Sequence, residues 1–392
     1  MIVHNNIPKT FGLVSLLLLS VFLTACSTKK RIKIQPEAVL RLEPGPDNPR
    51  NSEGDFVTLK DGRILFIYSR YTGTSSSDHG TAFLAGRYSH DGGKTWITED
   101  RVIVPQEGKM NVMSVSLLRL QNGQIALFYL RKNSITDCVP MVRFSNDEGE
   151  SWSQPRMCIT DKKGYFVLNN ARVIQLRDGR LLMAVALHQT PDSQWKNEAT
   201  LYAYHSDDNG LNWTSSAAVA NPQRVITQEP GLVELQDRQI MMYIRASGGV
   251  QQLSYSSDRG QTWSAATPSN IHSPLSPATI ARIPKTRDLL LVWNNTAGRP
   301  PQVDGRTPLT AAISKDEGKT WQHIKNIEDN PDGWYCYIAV RFIKDDVLLS
   351  YCAGSQSAKT HLSVTQVKKI RLPWFYETEG AVTNRKEDEQ VL

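Results

Sequence analysis

The chain has 392 residues, a formal net charge of +6 and nine tryptophans. The positive excess is small, and no cluster of lysine and arginine is interleaved with aromatic residues, which argues against a nucleic-acid partner. Cysteine and histidine show no spacing typical of zinc ligands, so the sequence predicts neither a metal site nor a cofactor.

The first 26 residues have the pattern of a bacterial export signal. Lys9 precedes an apolar stretch that ends at Ala25 and is short for a membrane span. The segment Leu23-Thr24-Ala25-Cys26 resembles the lipobox of bacterial lipoproteins, in which the cysteine becomes the lipid-bearing N-terminus; ordinary secretory cleavage after Ala25 is the alternative. We expect a signal peptide over residues 1–26, a lipid anchor at Cys26 and a tether over residues 27–40. The expected location is the cell envelope of a Gram-negative bacterium, with the outer membrane favoured and the leaflet open.

An eight-residue phrase occurs five times. Its first copy, residues 89–96, reads S-x-D-x-G-x-T-W, and the later copies end at Trp152, Trp213, Trp263 and Trp321, at intervals of 50 to 61 residues. The aspartate accepts bonds from nearby backbone N–H groups, the glycine adopts a positive φ at little cost, and the tryptophan begins a strand. The phrase therefore predicts a stapled hairpin, and its period predicts a repeat architecture.

A second hairpin signal precedes each phrase. Asp-Gly or Asn-Gly stands between alternating apolar runs at residues 61–62, 122–123 and 178–179, and looser copies follow near residues 237, 288 and 345. Six such hairpins, five of them followed by the phrase, predict six units of about four strands each. We expect one all-β domain over residues 41–372, a six-bladed β-propeller. The segment from Ile34 to Leu42 is expected to close the ring beside the last unit, and residues 373–392 to form a polar tail.

Both turns of each unit should lie on one rim of the propeller, because neighbouring strands alternate in direction. The opposite rim then collects the start of each first strand and the end of each second strand. The charged, polar and aromatic residues on that rim include Arg50, Glu53, Arg70, Asp78, His79, Arg131, Lys132, Asn170, His188, Glu229, Arg245, Arg306 and Tyr337. We therefore predict a binding site on this rim, at the mouth of the central channel.

The five phrases resemble the Asp-boxes of the sialidase (neuraminidase) superfamily, and the resemblance extends from residue 48 to about residue 365. It implies that Asp78 is the acid/base, that Tyr337 is the nucleophile, and that Glu229 pairs with that tyrosine. Tyr335 is the alternative nucleophile. This implied chemistry is hydrolysis of a glycoside through a covalent tyrosine intermediate.

The resemblance also implies residues that bind the sugar. Arg245 and Arg306 fall where the family has arginines that hold the substrate carboxylate by charge-assisted bonds. His79, Asn170 and His188 are interpreted as polar groups that shape the sugar pocket.

One feature of the family is missing. Sialidases begin their first blade with an arginine that completes a three-arginine clamp, whereas this chain has Ser52 in that register and Glu53 next to it. Because an unneutralised Glu53 would repel a sugar carboxylate, we expect Arg50 or Arg70 to replace the missing arginine.

Three functions are compatible with these residues. The first is an exo-acting glycoside hydrolase that releases terminal sialic acid from glycoconjugates through Tyr337. The second is a glycosidase or lyase on another glycan, such as a uronate-containing one, that pairs Glu53 or Asp55 with Asp78 and does not need Tyr337. The third is a glycan-binding propeller without turnover. All three predict a glycan as the partner and the lipid anchor as the contact with the membrane, and we expect a monomer.

Two cysteines bear on the last unit. Cys336 and Cys352 fall on neighbouring strands, where either a disulfide or two buried thiols would be compatible with the pattern.

Overall fold

The computed structural model describes residues 1–3, 35–298 and 305–377. Nearly all of the predicted signal peptide, the lipid anchor at Cys26, the tether up to residue 34 and the tail from residue 378 lie outside these residues. Within the described residues no helix has the length and apolar character needed to cross a membrane.

The described chain is built of strands and one short 3-10 helix, Leu372–Tyr376. In chain order the strands are β1 Glu37–Leu42, β2 Asn51–Thr58, β3 Ile64–Tyr71, β4 Ala82–Ser89, β5 Arg101–Val104, β6 Asn111–Arg119, β7 Ile125–Ser134, β8 Asp137–Ser145, β9 Arg156–Met157, β10 Tyr165–Val167, β11 Ile174–Gln175, β12 Leu181–Gln189, β13 Thr200–Ser206, β14 Thr214–Ser215, β15 Thr227–Glu234, β16 Ile240–Ala246, β17 Val250–Ser256, β18 Thr267–His272, β19 Thr279–Arg282, β20 Leu289–Trp293, β21 Leu309–Ser314, β22 Gln322–Glu328, β23 Gly333–Ile343, β24 Asp346–Ser355 and β25 Thr365–Arg371.

Strand pairing forms five sheets, and one of them contains two successive groups of strands, which gives six groups in all. Strands β2 to β5, β15 to β18 and β19 to β22 each form a four-stranded sheet. The groups β6 to β9 and β10 to β14 join in one sheet, because β10 runs parallel to β8 with Tyr165 opposite Cys138. The last sheet has the order β1, β25, β24, β23, so the first strand pairs with the last, as expected for ring closure.

Neighbouring groups pack face to face around the ring. Strand β2 contacts β6 and β23, β15 contacts β12 and β19, and β19 contacts β23. Successive side chains of a strand point to opposite faces of its sheet. In β3, Leu65 and Ile67 accordingly pack toward the second group, while Ile64 and Phe66 pack toward the last. The central strands are therefore apolar on both faces, and the fold is the predicted all-β propeller.

The repeated phrase folds into the turn between the third and fourth strands of a group. In the first copy the Ser89 hydroxyl donates to Asp91 at 2.9 Å, and the Gly93 and Thr95 N–H groups donate to Ser89 and Asp91, each at 2.9 Å. The equivalent three bonds recur around Asp147, Asp208, Asp258 and Asp316. Each turn is thus held by its own side chains, whatever the neighbouring group contributes.

A backbone irregularity recurs on the opposite rim. Five residues near the start of a group have positive φ: Glu53 (57°), Ser114 (60°), Ala171 (54°), Glu229 (44°) and Tyr337 (59°). All but Ala171 lie at a register shift between the first two strands of their group. Because a bulge re-aims its side chain, and because positive φ is costly outside glycine, such positions are typical of functional sites.

Two predicted boundaries need correction. Strand β1 begins at Glu37, inside the segment interpreted as a tether. The 3-10 helix covers residues 373–376 of the predicted tail, and its Trp374 and Phe375 are buried against the last two groups. The packed domain is therefore longer at both ends than residues 41–372, because apolar side chains at each end find partners that only the folded ring provides.

Candidate active site

A cavity of about 290 Å³ opens on the rim that carries the positive-φ residues. Its lining comes from all six groups of strands. Seven of the predicted site residues line it, namely Glu53, Asp78, His188, Glu229, Arg245, Arg306 and Tyr337.

A tyrosine and a glutamate meet in this cavity. The Tyr337 hydroxyl donates to Oε1 of Glu229 at 3.1 Å, and Oε2 of Glu229 lies 2.7 Å from Nη1 of Arg245. Burial, and then the negative charge of Glu229, raise the pKa of Tyr337 well above its ordinary value. Burial alone would raise the pKa of Glu229 as well, but Arg245 and Arg306 bring it below its ordinary value. At neutral pH the pair is thus a protonated phenol hydrogen-bonded to a carboxylate, which can accept its proton.

Arg306 lies over the ring of Tyr337. Its guanidinium carbon is 5.3 Å from the centroid of the Tyr337 ring and 5.3 Å from that of Trp334. The side chain is more than nine-tenths buried, and its Nη1 has no hydrogen-bond partner among the described residues. A buried guanidinium with an unused donor beside a cavity is suited to binding an anionic group.

The position of the missing clamp arginine is occupied by a network of two acids and one arginine. Arg50 is 1% exposed, and its Nη2 donates to Glu53 at 2.9 Å while its Nη1 donates to Asp78 at 2.5 Å. Glu53 also accepts a bond from the Ser114 hydroxyl at 2.5 Å. Arg50 therefore neutralises Glu53 from behind the cavity.

The two acids of this network differ in protonation. Burial raises the pKa of Glu53, with Arg50 opposing that effect. Burial also acts to raise the pKa of Asp78, but the charge of Arg50 outweighs it and the pKa of Asp78 falls below its ordinary value. Glu53 is therefore the acid of this pair that holds a proton more readily.

The loop that carries Asp78 is held by the second group of strands. The Asp78 carbonyl accepts bonds from Asn111 Nδ2 at 2.9 Å and from Lys132 Nζ at 2.7 Å. Asn111 donates in addition to the Gly80 carbonyl at 2.8 Å. The Asp78 side chain is 55% exposed, so the loop backbone is fixed while the carboxylate faces the opening.

Besides Arg50, four further candidates lie outside the cavity lining. Arg70 pairs with Asp100 at 3.0 Å, so it does not supply the missing clamp arginine. His79 is exposed, and Asp55 accepts the backbone N–H groups of Phe56 and Leu117, both at 2.7 Å. Asn170 is buried, and its amide donates to the carbonyls of Gly54 and Tyr337 at 3.0 and 3.1 Å. Neither His79 nor Asn170 lines the cavity as predicted. Asn170 instead supports the backbone of Tyr337.

The two candidate tyrosines of the last group line different cavities. Tyr335 lines a different cavity, with Arg41 and Glu328, so Tyr337 is the tyrosine beside Glu229. Cys336 and Cys352 are directly opposite each other on β23 and β24, and both are buried free thiols.

Further residues line the cavity that the sequence did not assign to the site. The sequence places Lys132 on the rim without giving it a role, and no motif marks Tyr165 or Trp195. Lys132 is 2% exposed, Tyr165 is buried, and Trp195 is 46% exposed, and all three line the cavity. Trp195 lies in an irregular loop with no repeat signal, which is why no pattern marked it. Four of the positive-φ residues could have been found from their spacing in the sequence. Each stands eight residues before the Asp or Asn of its hairpin turn, as Glu53 does before Asp61; the other three are Ser114, Glu229 and Tyr337.

No three histidine, cysteine, aspartate or glutamate side chains in the described part of the chain are arranged to hold a metal ion.

The fold and this arrangement of side chains define a β-propeller of the sialidase type. The sequence profile of the BNR repeat-like domain matches residues 71–362, and the chain belongs to that family. No functionally curated protein matches the sequence at a significant level.

Several solved structures are similar to the chain at low sequence identity. A protein of unknown function from Dyadobacter fermentans matches with a TM-score of 0.68 and 20% identity over 86% of this chain and 99% of that chain. The Hadza microbial sialidase Hz136 has a TM-score of 0.68 and 19% identity over 86% and 68% of the two chains. The intramolecular trans-sialidase from Ruminococcus gnavus, solved with oseltamivir carboxylate, has a TM-score of 0.68 and 14% identity over 87% and 98%. These similarities show the fold that the chain shares with sialidases.

Proposed function

We propose that the protein is an exo-acting, sialidase-like glycoside hydrolase that releases terminal sialic acid from glycoconjugates through Tyr337. The observation that carries the proposal is the hydrogen bond of 3.1 Å from the Tyr337 hydroxyl to Glu229, inside a cavity with two arginines. A tyrosine beside a carboxylate that can take its proton is the arrangement a phenol nucleophile requires.

In the first step the Tyr337 oxygen attacks the anomeric carbon and its proton passes to Glu229. The bond from that carbon to the leaving oxygen breaks, and Asp78 gives a proton to the leaving oxygen. In the second step water attacks the anomeric carbon, Asp78 takes a proton from the water, and Glu229 returns its proton to the departing Tyr337 oxygen. The net reaction consumes one water and regenerates all three side chains.

A neutral nucleophile suits a sugar that carries its own carboxylate. An anionic nucleophile would be repelled by that carboxylate as it approached the anomeric carbon, whereas the raised pKa of Tyr337 keeps its phenol neutral until Glu229 takes the proton. Arg306 has an unused buried donor beside Tyr337, and Arg245 forms an ion pair with Glu229. We assign these two arginines to the substrate carboxylate.

The direct test is release of the fluorescent group from an aryl α-sialoside by the wild-type protein. Release that is abolished in Glu229→Gln, with unchanged thermal stability, supports the proposal. Absence of release by the wild type, across the acidic and neutral range, would overturn it.

A specific observation favours a second candidate, a glycosidase that uses two carboxylates on a different sugar. Glu53 and Asp78 share Arg50, and their pKa values are displaced in opposite directions. Such a pair can supply one acid and one base. On this alternative Glu53→Gln abolishes turnover of the true substrate and Tyr337→Phe does not, whereas the sialidase proposal requires the reverse order of effects.

We propose in addition that the protein acts in the cell envelope. The support is the sequence pattern up to Cys26, which lies outside the described residues. Incorporation of labelled fatty acid that is lost in Cys26→Ser tests it, and unlabelled wild-type protein would contradict it. We also propose that the protein acts as a monomer, which light scattering of the purified protein will test.

A further inference from the structure

One aromatic side chain of the cavity is exposed. Trp195 is 46% exposed, and it is the only exposed Trp, Tyr or Phe among the residues that the structure describes. It lies in the loop between β12 and β13, at the edge of the cavity that holds Tyr337. Tryptophan combines a large apolar ring with one polar N–H group, so an exposed indole at a cavity mouth is suited to contact with a ligand that has an apolar face and polar edges.

The Trp195 indole is held in one orientation. It stacks on the His188 ring, with 4.4 Å between centroids and 7° between planes, and it meets Tyr165 edge to face at 5.2 Å. Its Nε1 donates to the Asn197 side chain at 3.0 Å. One face of the indole is thereby covered by His188, and the exposed area belongs to the rest of the ring.

The loop is closed behind the tryptophan by one backbone bond and one bond from the His188 ring. The Lys196 N–H donates to the His188 carbonyl at 2.9 Å, and His188 Nδ1 lies 2.8 Å from the Lys196 carbonyl. Because a carbonyl can only accept, Nδ1 carries the ring proton. Burial lowers the pKa of His188, so a neutral imidazole underlies the indole at neutral pH. The platform is therefore ordered before any ligand arrives, which reduces the entropic cost of binding.

The size of the cavity indicates what this surface meets. At about 290 Å³ it lies at the lower end of the range for small-molecule sites, so one terminal sugar fills it. The next ring of a glycan must then lie at the mouth, where Trp195 is exposed. A second cavity of about 380 Å³ is lined in part by the same loop, and its lining includes Lys196, Asn197, Asn221 and Arg224.

We propose that Trp195, supported by His188, is a stacking platform for the second pyranose ring of the glycan, the one that carries the terminal sugar. The indole takes the C–H face of that ring, and the second cavity takes its hydroxyl groups. The inference rests on the proposed glycan-directed function, but it concerns a part of the ligand that the catalytic side chains do not touch.

The test uses the full chain with its nine tryptophans replaced by 5-fluorotryptophan and observed by fluorine NMR. The Trp195→Phe variant identifies the Trp195 resonance by its loss. Lactose, cellobiose and maltose are added up to about 100 mM, because a platform for pyranose faces does not require a particular linkage. We expect the Trp195 resonance to shift with at least one of the three.

Affinity gives a second, independent readout. In a Tyr337→Phe background, which suppresses turnover, Trp195→Ala is expected to weaken binding of 3′-sialyllactose about tenfold and to leave binding of free sialic acid unchanged. Leu211→Ala is the matched control, because Leu211 is 49% exposed but lies in a turn of the opposite rim.

The outcomes separate the two proposals. If the Trp195 resonance shifts but no sialoside is turned over, the sialidase proposal is refuted and the stacking platform is supported. Two results together would overturn the platform while turnover of sialosides is observed. The Trp195 resonance would not shift with any of the three disaccharides, and the Trp195→Ala and control variants would bind 3′-sialyllactose with equal affinity. Failure of both readouts would overturn both.

Discussion

Replacing Tyr337 by phenylalanine is the sharpest perturbation that the site offers. The change removes one oxygen atom and keeps the ring, which packs beside Arg306 and the buried cysteines of β23 and β24. The lost interaction is the bond of 3.1 Å to Glu229. Glu229 keeps its ion pair with Arg245 at 2.7 Å, so its charge remains compensated.

The expected stability change is small. A hydrogen bond to a charged group contributes about 1.5 to 3 kcal/mol, and the retained ion pair and the easier burial of a phenyl ring bring the net cost toward about 1 kcal/mol. In a domain of this length, that corresponds to a fall in Tm of roughly 1 to 2 °C. The backbone strain at φ 59° is the same for both side chains.

The expected loss of activity is far larger. Without a nucleophile the covalent step is lost, and we expect kcat/KM on an aryl α-sialoside to fall by at least about 10³, which corresponds to about 4 kcal/mol of transition-state stabilisation. Tyr335→Phe is the matched control, because Tyr335 belongs to the same strand but lines a different cavity. It should retain activity within about twofold.

The assay is fluorescence release at several substrate concentrations, with thermal melts of the same preparations. A Tyr337→Phe variant that keeps more than a tenth of wild-type kcat/KM would refute the reasoning, and so would a control that loses as much as Tyr337→Phe.

Three further predictions follow from the geometry. Arg306→Ala should raise KM for a carboxylate-bearing sugar by about tenfold or more, while Arg70→Ala, which lies outside the cavity, should leave it unchanged; equal effects of the two would contradict the assignment. Because the pKa of Asp78 lies below its ordinary value, the fraction able to protonate a leaving oxygen rises about tenfold per pH unit below neutrality. For a natural glycoside kcat/KM should therefore rise toward acidic pH until Glu229 is protonated, and a maximum in the alkaline range would exclude this role. Burial raises the pKa of Asp55 to about 7, so the folded chain holds a proton that the unfolded chain releases near pH 4. The free energy of unfolding should thus fall as pH rises from about 4 to about 7. Thermal melts of Asp55→Asn should show a weaker dependence of stability on pH, and an unchanged dependence would show that other groups cause it.

The repeat was readable from the sequence because its cause is local. Each phrase is held by hydrogen bonds among its own residues, as Ser89, Asp91 and Thr95 show. A repeated motif in the sequence therefore corresponds to a repeated turn in the structure. The alternation of strand direction then assigns the two turns to one rim. That reasoning brought Glu229 and Tyr337 to the same rim although they are 108 residues apart.

Contacts across the ring were decided only by the tertiary structure. Arg50 and Arg70 were equal candidates in the sequence, and the fold separated them because Arg50 is buried between Glu53 and Asp78 while Arg70 pairs with Asp100. Which side of the strand a residue occupies depends on a bulge, and one residue of register shift reverses that side.

Trp195 marks the limit of inference from pattern. It belongs to no repeat and no hairpin signal, and its place at the cavity results from the ring of His188 beneath it and from a loop closed by backbone bonds. The sequence by itself determined the repeating turns, the strand alternation and the rim, because these depend on near neighbours in the chain. Only the tertiary structure decided which charges neutralise one another and which aromatic face stays open, because those depend on distances between groups far apart in sequence.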